Sequence, residues 1–200
     1  MFALVDKSDN SITKMFSGNK GVNIEDNRYS AQIFSIWTEA ERNAINIYEI
    51  EMDTSKRKDE EWYINTSITY SFDGSKVTGS YGDAAAIPHA DKLYTKEDED
   101  NGLGTEGEVK EKGKKSILID KVKKEAANEL NKTDWYVIRK TEEETAIPSA
   151  VTTHRKAVRS KQAEMETAIS NASDIPALET LYTRNNEGVR PLGDIPQKDF

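Results

Sequence analysis

The hydrophobic period of this chain changes once, and the change limits what it can fold into. In WYINTSITYSFDGSKVTGSY, Ile68, Tyr70 and Phe72 alternate with Thr69 and Ser71, Asp73-Gly74 supplies a turn, and Val77, Gly79 and Tyr81 return on the same period. That pattern predicts a β-hairpin. Beyond residue 116 the spacing is helical: Ile119, Val122, Ala126 and Leu130 recur at intervals of three and four, and Val151, Val158 and Met165 at intervals of seven. Strands followed by helices predict an α+β fold.

The boundaries come from the same reading. Residues 1–82 are expected to form a small N-terminal antiparallel β unit with one short helix. Phe2–Val5 and Ser11–Phe16 flank the turn-rich DKSDN as a first hairpin. Thr38 followed by Glu41, with Trp37 ahead of the cap, is a capping-box pattern for a helix over 39–45, and a strand follows through Tyr48, Ile50 and Met52. Residues 83–115, rich in Gly and charge, read as an acidic linker with a helical turn near Asp91–Tyr94. Residues 116–183 read as a helix-corner-helix module, a helical hairpin. Its second helix starts near Pro148, and a last short helix, capped by Asp174, holds Leu178 and Leu181. Residues 184–200 are an extended tail.

Polarity makes the expected core thin. Hydrophobic residues make up 36% of the chain and charged residues 32%, so partner surfaces or oligomerisation are expected to supply part of the stability. The absence of cysteine excludes disulfides, thiolate catalysis and cysteine zinc sites. No apolar run approaches membrane-spanning length, so the chain is expected to be soluble. The net charge is −8, with the acid concentrated ahead of residue 112 and a mild basic excess over 112–170. This suggests contacts within or between chains and argues against a nucleic-acid surface, which needs a concentrated positive field.

Chemistry-bearing motifs are few. Gly102-Leu103-Gly104-Thr105-Glu106-Gly107 fits the dinucleotide glycine pattern, but no apolar strand precedes it and Glu97, Asp98, Glu99 and Asp100 would repel a pyrophosphate. Glu97, Glu99, Asn101, Gly102 and Glu108 mimic a calcium loop, with glutamate where aspartate is usual and no strong flanking helices. Of the two histidines, His154 borders the helical seam and His89 follows a proline. No catalytic residue, metal site or cofactor is expected. Stacking of a sugar on Trp62, Tyr63, Tyr70 or Tyr81 is the alternative function, a carbohydrate-binding module.

One stretch concentrates apolar material: Trp135, Tyr136, Val137 and Ile138 stand in consecutive positions. They are expected to fill the corner between the two long helices, so that Trp135→Ala would cost about 3–5 kcal/mol. The narrow seam of Val151, His154, Val158, Met165 and Ile169 reads, with Trp135, as an interaction surface for another chain.

A helix ending at Leu130, then Asp134-Trp135, an acidic turn, Ile147-Pro148 and a helix carrying Arg155 and Arg159 resembles the tail-assembly-chaperone-like module of phage tail and tail-fibre proteins. The matching positions are Asp134, Trp135, Pro148, Arg155 and Arg159, within roughly residues 116–170. The opening Met1–Leu4, with Trp37–Arg42 and Gly102–Gly107, is similar to proteins of marine phages. The resemblance implies a non-enzymatic virion subunit or assembly chaperone, oligomeric in its assembly. Its partners would be other tail or tail-fibre proteins, with neither nucleic acid nor membrane involved, in the virion tail or the infected host cytoplasm.

Overall fold

The computed structural model describes residues 1–200 and has the mixed α+β architecture read from the period change. The chain divides into two compact units, Met1–Ala85 and Ala86–Phe200.

The first unit is built on a five-stranded sheet in the order β2-β1-β5-β8-β7. These strands are β1 (Phe2–Asp6), β2 (Ser11–Phe16), β5 (Ile47–Asp53), β7 (Ile68–Phe72) and β8 (Val77–Tyr81). The short strands β3 (Val22–Ile24) and β4 (Asn27–Tyr29) form a separate hairpin, and β6 (Tyr63–Ile64) pairs outside the main sheet. Both expected hairpins form, with Phe2 opposite Phe16 in one and Phe72 opposite Val77 in the other. In the second, Asp73 accepts from the Lys76 and Ser75 backbone N–H groups and the Ser75 hydroxyl. The Lys76 N–H leads in holding its carboxyl down to about 2. At Gly79 a Cβ would lie 2.8 Å from the Tyr70 ring and 2.9 Å from the Met52 sulfur, so a larger residue would have to push both side chains aside.

One pairing departs from an antiparallel plan: β5 and β8 run parallel, with Ile50 opposite Val77. Alternation along β5 covers both faces of the sheet. Tyr48 and Ile50 join Ala3, Val5, Phe72 and Val77 on one side, while Ile47 joins Phe2, Phe16, Ile33 and Phe34 on the other. Helix α1 (Glu39–Ala44) carries the full Thr38–Glu41 capping box. Arg42 anchors it to the sheet by donating to the Trp37 carbonyl and lying over the Phe2 ring.

Residues 83–115, which span the boundary after Ala85, are not a bare linker. Strand β9 (Ala85–Ala86) straddles that boundary; beyond it, in the second unit, β10 (Lys92–Leu93) pairs antiparallel with β11 (Val109–Glu111), and α2 (Lys96–Asp100) lies between them. Composition registered the polarity of this stretch but not its backbone bonding. Asp91 accepts from the Gly113 N–H and the Ser116 hydroxyl, both at 2.7 Å, tying the stretch to the helix that follows. Gly113 is needed there, since a Cβ would sit 2.3 Å from the Ala90 carbonyl.

Four helices complete the unit: α3 (Lys114–Asn131), α4 (Asp134–Glu143), α5 (Ser149–Asn171) and α6 (Ile175–Tyr182). Helices α3 and α5 run antiparallel, as Lys115 Nζ donates to the Ser170 carbonyl and Arg155 Nη1 to that of Leu130. The stripe of α3 is Leu118, Val122, Ala126 and Glu129, offset by one residue at each end from the sequence reading. Ile119 and Leu130 lie at its half-buried margins. Asp174 caps α6 as expected, accepting from Ala177 N–H at 2.8 Å. The tail over 184–200 has no regular element but docks through buried Leu192 and Ile195.

Candidate functional site

Five of the six residues expected to face a partner are covered by their own unit. Val151, Val158, Met165 and Ile169 are at most 1% exposed and His154 only 8%. The seven-residue seam is therefore satisfied within the chain, by α3 and its neighbours, and leaves no apolar strip for another molecule.

His154 belongs to a polar centre inside that seam. Its Nε2 lies 2.9 Å from Oε1 of Glu129, which is 2% exposed although it occupies a stripe position of α3. The same oxygen accepts the Lys198 backbone N–H at 3.0 Å, and Lys132 Nζ stands 2.6 Å from Oε2. The Phe200 ring closes over the imidazole at 5.2 Å between centroids. Burial pushes the Glu129 carboxyl up, but the bonds from Lys132, Lys198 and His154 outweigh it and hold the group below its ordinary value.

This centre fastens two helices and the tail to one carboxylate. Ser149 and Thr153 line the groove beside His154, together with Ala150, Ala157 and Lys198, but neither hydroxyl bonds the ring. A nucleophile–base pair would need that bond. No group of three or more His, Asp or Glu side chains converges to hold a metal ion. At the glycine-rich loop, Asp98 is engaged by Lys110 at 2.6 Å and by the Thr95 cap.

Trp135, the sixth residue, does not fill a corner. The apolar run is part of helix α4, no residue of which is buried. Trp135 is 49% exposed, Val137 40% and Ile138 56%. The helix forms because Thr133, completely buried, interrupts the path from α3 while its hydroxyl bonds back to Leu130, and Asp134 places a carboxylate in the new first turn. Arg155 clamps this junction from α5, bonding Thr133 Oγ1 and Asp134 Oδ1 at 2.8 Å each. Glu144 ends α4 in the left-handed region, at φ 56°.

On the surface of α4, the Trp135 and Tyr136 rings stack at 3.7 Å and the Arg139 guanidinium lies over both. Ile147, Thr152, Arg155, Lys156, Arg159 and Ser160 line a shallow groove that shares Arg155 with the start of α4. Lys156 and Arg159 are exposed and have no acidic partner.

Sequence reasoning missed Glu129 because it followed only apolar positions; the three-residue step from Ala126 to a charged residue was the available signal. The sugar-stacking alternative loses its main platform, since Trp62 and Tyr63 are only 4% and 7% exposed. Tyr70 and Tyr81 are half-buried on the sheet. Comparison with protein-family models, with curated proteins and with solved structures returns no match.

Proposed function

We propose that this chain is a non-enzymatic assembly protein that works through protein–protein contacts, with α4 as its docking element. The observation that carries the reading is that α4 buries none of its ten residues while presenting Trp135, Val137 and Ile138 to solvent. A ten-residue helix is marginal in water on its own, and a buried apolar face is what usually holds a helix in place. Here the contact with a partner supplies that face.

The setting proposed is a phage tail, as a virion subunit or an assembly chaperone. Its support is the resemblance at Asp134, Trp135, Pro148, Arg155 and Arg159. Two of those positions, Asp134 and Arg155, form the 2.8 Å ion pair that orients α4. Light-scattering mass of the chain mixed with tail and tail-fibre proteins tests the reading. A stoichiometric complex is expected, lost in Trp135→Ala/Ile138→Ser; a complex that survives that double substitution overturns α4 as the docking element.

A further inference from the structure

Resting on that reading of α4, we infer that the partner segment is acidic and amphipathic: a short stretch carrying Asp or Glu beside its apolar side chains. The inference comes from the cations around the exposed apolar residues. Of the seven Lys and Arg in residues 132–161, four have no acidic partner in the chain.

Three of the seven cations already have partners. Arg155 is neutralised by Asp134, Lys132 by Glu129 and Lys161 by Glu164. Arg139 and Lys140 on α4, and Lys156 and Arg159 in the groove, make no ion pair. Glu142, Glu143 and Glu144 close α4 without pairing to any of the four.

Thr152, Arg155, Lys156 and Arg159 follow one another along one flank of α5, beside its buried stripe. Ile147 is the apolar residue of the same groove lining. An apolar side chain seated against Ile147 and Thr152 would bring a neighbouring carboxylate within reach of Lys156 or of the planar fork of Arg159. The groove meets α4 through Arg155, which pairs with Asp134 at the helix start, one residue before Trp135 and its stacked ring. Charge of this kind sets partner choice and encounter rate, while the aromatic ridge supplies contact area. Glu142, Glu143 and Glu144, which follow Arg139 and Lys140 in the chain, interrupt the continuous basic field that a polyanionic strand or an anionic bilayer needs.

The test uses the full chain and two synthetic eighteen-residue helical peptides, one alternating Leu rows with Glu and the other with Lys. Binding is read by fluorescence anisotropy and by shifts of the Trp135 indole N–H resonance. The Leu/Glu peptide should bind and move that resonance. Lys156→Glu/Arg159→Glu should weaken it by about tenfold or more and should gain the Leu/Lys peptide, with unchanged helical circular dichroism. Equal binding of both peptides, preference of the parent for Leu/Lys, or binding blind to the charge reversal overturns the inference. So does saturable binding of duplex DNA or phosphatidylglycerol vesicles in place of the Leu/Glu peptide. Loss of tail complexes in Trp135→Ala/Ile138→Ser alongside any of those outcomes would leave α4 standing as the docking element and reject only the acidic partner.

Discussion

Helices α5 and α4 each carry several apolar side chains, and they dispose of them in opposite ways. Along α5, Val151, Val158, Met165 and Ile169 are closed against their own unit; along α4, Trp135, Val137 and Ile138 stay in solvent. The regular seven-residue spacing looked like the seam offered to another chain, and the dense run looked like the corner core. The burial is the reverse of that reading, because spacing specifies that a helix has an apolar face but not what covers it. For α5 the cover is α3, which runs antiparallel to it. Nothing within its unit buries α4.

The sharpest way to break this contrast is to charge the buried row. Val158→Glu should destabilise the full chain by about 4 kcal/mol or more, because an unpaired carboxylate would enter a fully buried site. Thermal unfolding measures this, and a loss below about 1 kcal/mol would mean that the row opens to solvent.

The next effect lies in the polar centre of the same row. Glu129→Ala should cost about 3 kcal/mol, since it strands His154 and frees the tail N–H of Lys198. Chemical denaturation of parent and variant would measure it. Equal stability would show that the tail does not depend on this carboxylate. The centre also has a pH signature. The carboxyl is held below its ordinary value of 4.5, so its contribution is present in full above that pH and disappears as pH falls through the depressed folded value. The Phe200 resonances should therefore lose their ring-current shift from His154 on acidification below 4.5, whereas Glu129→Gln should remove that step.

What could be read from the sequence was local. The Ile68–Tyr81 hairpin, the Thr38–Glu41 box, the start of α5 after Pro148 and the Asp174 cap each depend on residues within a few positions of one another. The parts not legible involve distant partners. The parallel register of β5 and β8 joins Ile50 to Val77, and Glu129 meets His154 across 25 positions. Residues 83–115 misled for a related reason: Asp91 is one more acid in a charged stretch until Gly113 and Ser116 are brought to it. Trp135–Ile138 misled because apolar density in a sequence does not separate a core from an exposed helix surface.

The smallest expected effect sharpens that last distinction. Trp135→Ala should change stability by about 1 kcal/mol or less, because the ring is half exposed and packs mainly on Tyr136 and Arg139. Differential scanning calorimetry would detect the larger loss, about 3–5 kcal/mol, that a corner core would give.

Hydroxyl-radical footprinting with residue-level mass spectrometry tests the central contrast most directly, on the free chain and on the complex proposed with tail proteins. In the free chain Trp135 should oxidise rapidly while Met165, despite its reactive sulfur, stays protected. In the complex, Trp135 should become protected and Met165 should not change. Rapid oxidation of Met165 in the free chain, followed by its protection on complex formation while Trp135 stays reactive, would contradict the account and return the docking surface to α5.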